Sequence, residues 1–173
     1  INNVVVRSIS GVVFILAMLA CLMFNKFLFA GLIIFIMSVM LLEFYHITMG
    51  NSYTFSKVLA IIAAIFLFGL LFATDSYHIP IRFVAFAMVP IFIVMINSLY
   101  VKDKDEYGKF SNIYTGLLYI AVPIALSNLI AFDKAGNFSG NLLLCFFIII
   151  WCSDVGAFAF GISLGKIFPQ KLF

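Results

Sequence analysis

Long apolar blocks, separated by short polar gaps, make up almost the whole chain. A helix needs about 20 mostly apolar residues to cross a bilayer. By that criterion the pattern predicts helices near residues 4–24, 27–48, 57–74, 80–100, 111–132 and 141–164. Most of the charged residues fall in the gaps or beside them. We therefore predict an all-α fold, a polytopic transmembrane bundle of about six helices that forms a single membrane domain over residues 1–173.

The composition excludes an ordinary soluble domain. The chain is 65% hydrophobic and 10% charged, whereas a soluble domain has roughly 45–50% apolar and about 25% charged residues. Its basic residues flank the apolar blocks and do not cluster on one polar face, so no nucleic-acid partner is expected. The three cysteines all lie within apolar blocks without metal-ligand spacing, and they are interpreted as packing residues.

The distribution of basic residues predicts an orientation. Six helices put both termini on one side of the membrane. The basic residues on that side are Arg7, Lys57, Lys102, Lys104, Lys109, Lys166 and Lys171. Those on the other side are Lys26, Arg82 and Lys134. Because loops rich in Lys and Arg stay in the cytoplasm, both termini are predicted to be cytoplasmic.

Two carboxylates lie within apolar blocks. Asp154 is in the last predicted helix and Glu43 is near the end of the second. A charge at membrane depth costs a few kcal/mol or more, so Asp154 is a functional candidate. The alternative is a structural carboxylate that is hydrogen-bonded to a neighbouring helix. A transporter or channel-like protein, with Asp154 and Glu43 lining an ion path, is one functional hypothesis.

Small residues and a lysine follow Asp154. Ser153, Ala157, Gly161 and Gly165 recur at a spacing of four, which places them along one stripe of a helix. Such stripes let helices approach closely, so Gly156, Ala157, Gly161 and Gly165 are predicted helix-packing residues. Lys166 has two interpretations, an interfacial anchor or a phosphate contact.

The run Ser153-Asp154-Val155-Gly156-Ala157-Phe158, followed by Gly161, Gly165 and Lys166, resembles bacterial phosphatidate cytidylyltransferases (CDP-diacylglycerol synthases). That family carries Ser-Asp-Thr-Gly-Ala-Tyr, then Gly-Arg and Gly-Lys, in a late membrane helix. Shorter matches are Lys171-Leu172, Arg7-Ser8-Ile9-Ser10-Gly11, Glu43-Phe44-Tyr45 and Gly116-Leu117-Leu118-Tyr119. The departures are Val155, Phe158 and Ile162, the last of which replaces an arginine of the family.

The resemblance implies an enzyme of phospholipid biosynthesis in the bacterial inner (cytoplasmic) membrane. It would join CTP and phosphatidate to give CDP-diacylglycerol and pyrophosphate, with Mg²⁺ as cofactor. Asp154 is the implied catalytic residue, and Ser153, Lys166 and Lys171 are the implied substrate-binding residues. The expected partners are CTP and the membrane lipid phosphatidate, and a homodimer is left open.

The resemblance also implies that the chain is the N-terminal two-thirds of a longer enzyme. The family's Ser-Pro-Lys-Lys run and its signature rich in Asp, Lys and Arg would begin after Phe173. In the family that signature supplies most of the metal- and nucleotide-binding residues. The metal ligands within this chain are therefore unknown, and the chain alone is expected to be inactive.

Overall fold

The computed structural model describes residues 3–99, 104–133 and 135–167, and within these ranges the fold is helical, without a β-strand. The α-helices are α1 (Asn3–Phe24), α2 (Lys26–Met49), α3 (Thr54–Tyr77), α4 (Met88–Ser98), α5 (Lys104–Gly116), α6 (Val122–Leu126), α7 (Asn128–Ala131) and α8 (Asn141–Ile167). A 3-10 stretch, Ile81–Ala87, leads into α4, and a π-helical turn, Leu117–Ala121, joins α5 to α6. The elements follow one another as the six predicted helices, which confirms the predicted fold class.

Four of the helical segments are long and apolar enough to cross a membrane. They are Lys26–Met49, Thr54–Tyr77, Phe110–Ala131 and Asn141–Phe158. Two shorter apolar helices are Gly11–Phe24 and Ile81–Asn97. Large apolar side chains remain exposed along these helices, as expected of surfaces that face lipid. The architecture is consistent with a multi-pass membrane protein.

The core lies between α2, α3 and the fifth helical segment. The stripe of α2 that is buried there repeats every four residues: Phe29, Ile33, Met37, Leu41, Tyr45 and Met49. Opposite this stripe, α3 buries small side chains, Ala60, Ala63 and Ala64, beside Phe68. Large side chains therefore meet small ones, which allows the helices to pack closely.

The fifth helical segment starts earlier than predicted and is irregular. Helix α5 begins at Lys104, so charged residues before the predicted start at residue 111 are helical. The π-helical turn ends two residues before Pro123, which lies in α6. Proline has no N–H group and its ring crowds the carbonyl of the preceding turn, so a wider turn accommodates it. The Val122 N–H group donates to the Leu117 carbonyl across this turn.

A tight loop fixes the start of α8. The Asp133 carboxylate accepts the N–H groups of Asn137 at 2.8 Å and Ala135 at 2.9 Å. These bonds hold the pKa of Asp133 below its usual value, the bond from the Asn137 N–H having the largest effect. A Cβ atom on Gly140 would overlap the Leu22 carbonyl oxygen, so α8 begins where α1 ends. Helix α8 therefore runs towards the end of the bundle at which α2 is connected to α3.

Candidate functional site

Asp154 lies on the part of α8 that extends from the bundle. The first half of α8 is anchored on α1 and α7, and Leu143 is buried there. From Ile148 to Phe158 every residue is exposed except Trp151 and Gly156, which are half-buried. Ser153 and Asp154 are both exposed, and neither side chain has a hydrogen bond or ion pair to another described residue. The carboxylate is therefore open to a ligand from outside the described structure.

Small residues lie on the Asp154 face of α8. A helix turns by 100° per residue, so Gly161 and Gly165 lie within about 20° of the direction of Asp154 around the axis. A Cβ atom added at Gly161 would meet nothing within 4 Å in the described structure, and Ala157 is exposed. The same holds for a Cβ atom at Gly156, which lies nearly opposite Asp154 around the axis. Helix packing by the small residues therefore stays a prediction, and the face beside Asp154 has space next to it.

The predicted lysines lie towards the end of α8 or beyond it. Lys166 follows Asp154 by twelve residues, which is about 18 Å along the axis. This separation is more than three turns of helix. Lys171 lies outside the described residues.

Glu43 lies on a different part of the bundle. It is exposed on α2, about 9 Å along the axis from the last residue of that helix. Helix α2 packs on α1, α3 and α5, whereas α8 packs mainly on α1 and α7. Within residues 3–99, 104–133 and 135–167, no three His, Cys, Asp or Glu side chains form a group that could hold a metal ion.

An apolar cavity of about 390 Å³ opens among α1, α2, α6, α7 and α8. Its wall includes Phe14, Met40, Pro123 and Phe146, and its single polar lining residue is Ser127. The Ser127 hydroxyl donates to the Ile124 carbonyl within its own helical turn. The cavity therefore suits a hydrocarbon chain better than a polar ligand.

Two of the short sequence matches meet in space. The Tyr45 hydroxyl donates to the Ile113 carbonyl at 3.0 Å, and its ring covers Gly116. A Cβ atom on Gly116 would lie 2.6 Å from Cε1 of Tyr45, so only glycine allows this approach. The aromatic at position 45 and the glycine at position 116 thus have one structural role, the docking of α2 on α5.

Three buried polar groups are not predicted by the sequence pattern. Lys57 contributes to the predicted orientation as a charge, yet it is 8% exposed and its Nζ donates to the Gly50 carbonyl at 2.5 Å. Asp75 was placed in a gap, but it belongs to α3, and its buried Oδ2 has no hydrogen-bond partner among the described residues. Asn128 is fully buried and donates to the Ala125 carbonyl at 2.9 Å. The sequence signal that could have identified each of them is a polar residue inside or beside an apolar block.

A model of the cytidylyltransferase family matches residues 5–171, almost the full length of the chain. The chain belongs to the cytidylyltransferase family. The match includes the Asp154 run and both regions that Tyr45 and Gly116 bring together. Comparison with curated proteins and with solved structures gives no match.

Membership defines the general chemistry of this cytidylyltransferase. It is a CTP-using nucleotidyltransferase with helices that are able to span a membrane. The family match does not favour the alternative hypothesis of a transporter or channel.

Proposed function

We propose that this cytidylyltransferase acts on phosphatidate, giving CDP-diacylglycerol and pyrophosphate in phospholipid biosynthesis. The observation that carries the proposal is a family match over residues 5–171 on a chain built from membrane-length apolar helices. A nucleotidyltransferase with this architecture is suited to a substrate that resides in the bilayer. The apolar cavity between α1, α2 and α8 supports the proposal, since it suits an acyl chain of such a substrate.

The proposed reaction transfers a cytidylyl group between two anions. A phosphate oxygen of phosphatidate attacks the α-phosphorus of CTP, and the bond from that phosphorus to the β-phosphate oxygen breaks. The electron pair of the broken bond leaves with pyrophosphate. Since both reactants are negatively charged, positive groups must offset their repulsion in the transition state.

In the proposal, Asp154 is the catalytic carboxylate and Ser153, Lys166 and Lys171 bind substrate. Asp154 is exposed and has no partner among the described residues, as expected of a side chain whose contacts are made by ligands. Lys166, about 18 Å further along α8, would contact a different phosphate from the one near Asp154. The lysines supply the positive charge that two phosphorylated substrates need.

The Mg²⁺ ion expected from the family stays a prediction. Asp154 offers one carboxylate, but the described part of the chain holds no group of three His, Cys, Asp or Glu side chains suited to a metal ion. The described residues alone therefore do not make a metal site. CTP and phosphatidate are the proposed partners, and a homodimer stays open.

We also propose that the protein resides in the bacterial inner membrane with both termini in the cytoplasm. The asymmetry of basic residues supports this orientation. Helix α8 would then carry Asp154 and Lys166 towards the cytoplasmic interface, where CTP is available and where the headgroups of membrane lipids lie.

Substitution of Asp154 by Asn tests the proposed site. The change keeps the size and hydrogen-bonding capacity of the side chain while it removes the charge. We expect turnover to fall at least tenfold, equivalent to about 1.4 kcal/mol of barrier, while the protein remains folded. The measurement is CTP-dependent conversion of phosphatidate in lipid micelles by the complete reading frame that contains this chain. The 173-residue chain is assayed beside it, and detectable turnover by that chain would contradict the expectation that it is inactive alone.

Asp133 provides the control, because it is exposed and an Asn at this position keeps the Oδ1 atom that accepts the N–H groups of Ala135 and Asn137. Asp133→Asn should leave turnover unchanged. Full activity of Asp154→Asn would show that the Asp154 carboxylate is structural.

Lys166→Gln should raise KM more than it lowers kcat, because a phosphate contact made in both ground and transition states contributes uniform binding.

A further inference from the structure

A second cavity lies at the connection between α2 and α3. Its volume is about 320 Å³, and it is lined by Leu42, Tyr45, His46, Gly50, Asn51, Thr54 and Lys57. Five of these seven lining residues have a side chain that can hydrogen-bond, whereas the apolar cavity described above has one. The second cavity lies where two membrane-length helices end and begin, after Met49 and before Thr54. This location corresponds to the depth of lipid headgroups.

Lys57 is the principal charge in the wall of this cavity. The residue is 8% exposed, and the Nζ atom donates one hydrogen bond, to the Gly50 carbonyl. An ammonium group has three N–H donors, and no ion pair joins it to a carboxylate among the side chains that the structure describes. A buried ammonium without a counter-ion is costly, so a site that holds one favours an anionic ligand.

Among the residues that the structure describes, no charge at the connection cancels this preference. The negative end of the α2 dipole and the positive end of the α3 dipole meet at the connection and oppose each other, so Lys57 determines the net sign. The first turn of α3 contains no acidic residue and has no side-chain cap. The side chains of His46 and Asn51 add hydrogen-bond donors to the wall, whereas the Thr54 hydroxyl donates to the Asn51 carbonyl at 3.4 Å.

We propose that the α2–α3 cavity binds a phosphate-bearing anion, with Lys57 as its principal contact. The same chemistry occurs in the headgroup of an anionic lipid and in a soluble phosphate monoester. The inference does not depend on the proposed catalytic role of Asp154, because it concerns binding at a different connection. The site would hold a phosphorylated molecule at the membrane surface beside the apolar stripe of α2.

The test measures binding without turnover, in detergent micelles. The chain carries Lys166→Gln, so that the lysine proposed for the catalytic site does not contribute. One arm compares phosphatidate with phosphatidylcholine, and the other compares glycerol 3-phosphate with glycerol. The readout is the rise in thermal unfolding temperature over a ligand titration, from which an apparent Kd follows.

Lys57→Gln should weaken binding of the phosphate ligand by roughly tenfold, the effect of about 1.4 kcal/mol. Gln can still donate to the Gly50 carbonyl, so this variant separates the charge from the local hydrogen bond. Lys57→Arg should retain binding. The matched control is Lys26→Gln, because Lys26 likewise donates one hydrogen bond, to the Ser76 hydroxyl, but at the opposite end of the bundle. That control should bind as the parent chain does.

Asn51→Asp gives a second test that leaves Lys57 intact. Asn51 is exposed, so the substitution should not prevent folding, and the added negative charge should weaken binding through repulsion. Saturable binding in the phosphatidate arm alone would identify a lipid headgroup as the ligand, and binding in the soluble arm alone would identify a free phosphate monoester. Absence of binding in both arms, or unchanged affinity of both Lys57→Gln and Asn51→Asp, would overturn the proposal.

Discussion

Tyr45 connects two helices through its ring and its hydroxyl. The side chain is fully buried on α2, and the hydroxyl donates to the Ile113 carbonyl of α5 at 3.0 Å. A buried hydroxyl requires a partner, and a backbone carbonyl beside an irregular helical turn provides one. The sequence suggested Tyr45 only as part of a short family match, and the structure gives it a physical role.

Removal of that hydroxyl should destabilise the fold moderately. Tyr45→Phe keeps the ring in place and loses one buried hydrogen bond, so the free energy of unfolding should fall by roughly 0.5–1.5 kcal/mol. Denaturant unfolding in mixed micelles, followed by circular dichroism, measures the change. Tyr119→Phe is the control, since Tyr119 is 83% exposed. Equal stability of the two variants would contradict the prediction.

At the scale of the element, the irregular turns determine which helices can pack. The π-helical turn Leu117–Ala121 follows Gly116 and precedes Pro123, and it lies where the fifth helical segment crosses α2 and α3. Proline alone predicts a local irregularity. The spacing of residues could not predict that the Tyr45 ring packs on Gly116. That contact depends on how two helices that are distant in sequence cross each other.

Gly116→Ala tests this contact. The added Cβ would lie 2.6 Å from Cε1 and 2.9 Å from Cζ of Tyr45, and the ring is fully buried, so it has little room to move. We expect a loss of about 1–3 kcal/mol in the free energy of unfolding, as for other overpacked cores. The same micelle unfolding assay measures it.

Gly31→Ala is the matched control on α2, because a Cβ atom there meets nothing within 4 Å. It should be neutral or slightly stabilising, since alanine favours a helix more than glycine does. If Gly116→Ala and Gly31→Ala had the same free energy of unfolding, that result would contradict the close contact between Tyr45 and Gly116.

At the scale of the whole molecule, the α2–α3 connection and the loop before α8 lie at opposite ends of the helical bundle. The connection between α2 and α3 lies beside α5, as the contact between the rings of Tyr53 and Phe110 shows. The loop before α8 lies at the other end, where Gly140 meets Leu22. The basic asymmetry predicts that the first of these ends is cytoplasmic.

Cysteine labelling tests this orientation. In a variant without the native cysteines, Asp105→Cys should react with an impermeant maleimide only from the cytoplasmic side. Asn137→Cys should react only from the opposite side. Labelling of both positions from one side would contradict the six-helix topology.

The sequence by itself determined the fold class and the approximate bounds of the six helices. The backbone groups of an apolar block in lipid must be hydrogen-bonded within the segment, which favours a helix, so the hydropathy pattern along the chain suffices. The family was also recognisable from sequence, because the run around Asp154 is contiguous. The roles of Asp154, Lys166 and Lys171 stay predictions, since their expected contacts are with ligands.

Only the tertiary structure decided which polar groups are buried and what they contact. Lys57 follows the α2–α3 connection and resembles any basic residue near a membrane surface, yet folding turns it onto the Gly50 carbonyl and into a cavity wall. Tyr45 and Gly116 are 71 residues apart, and their contact arises from the packing of α2 on the fifth helical segment. Such contacts depend on how helices are arranged around one another, and hydropathy along the chain carries no information about that arrangement.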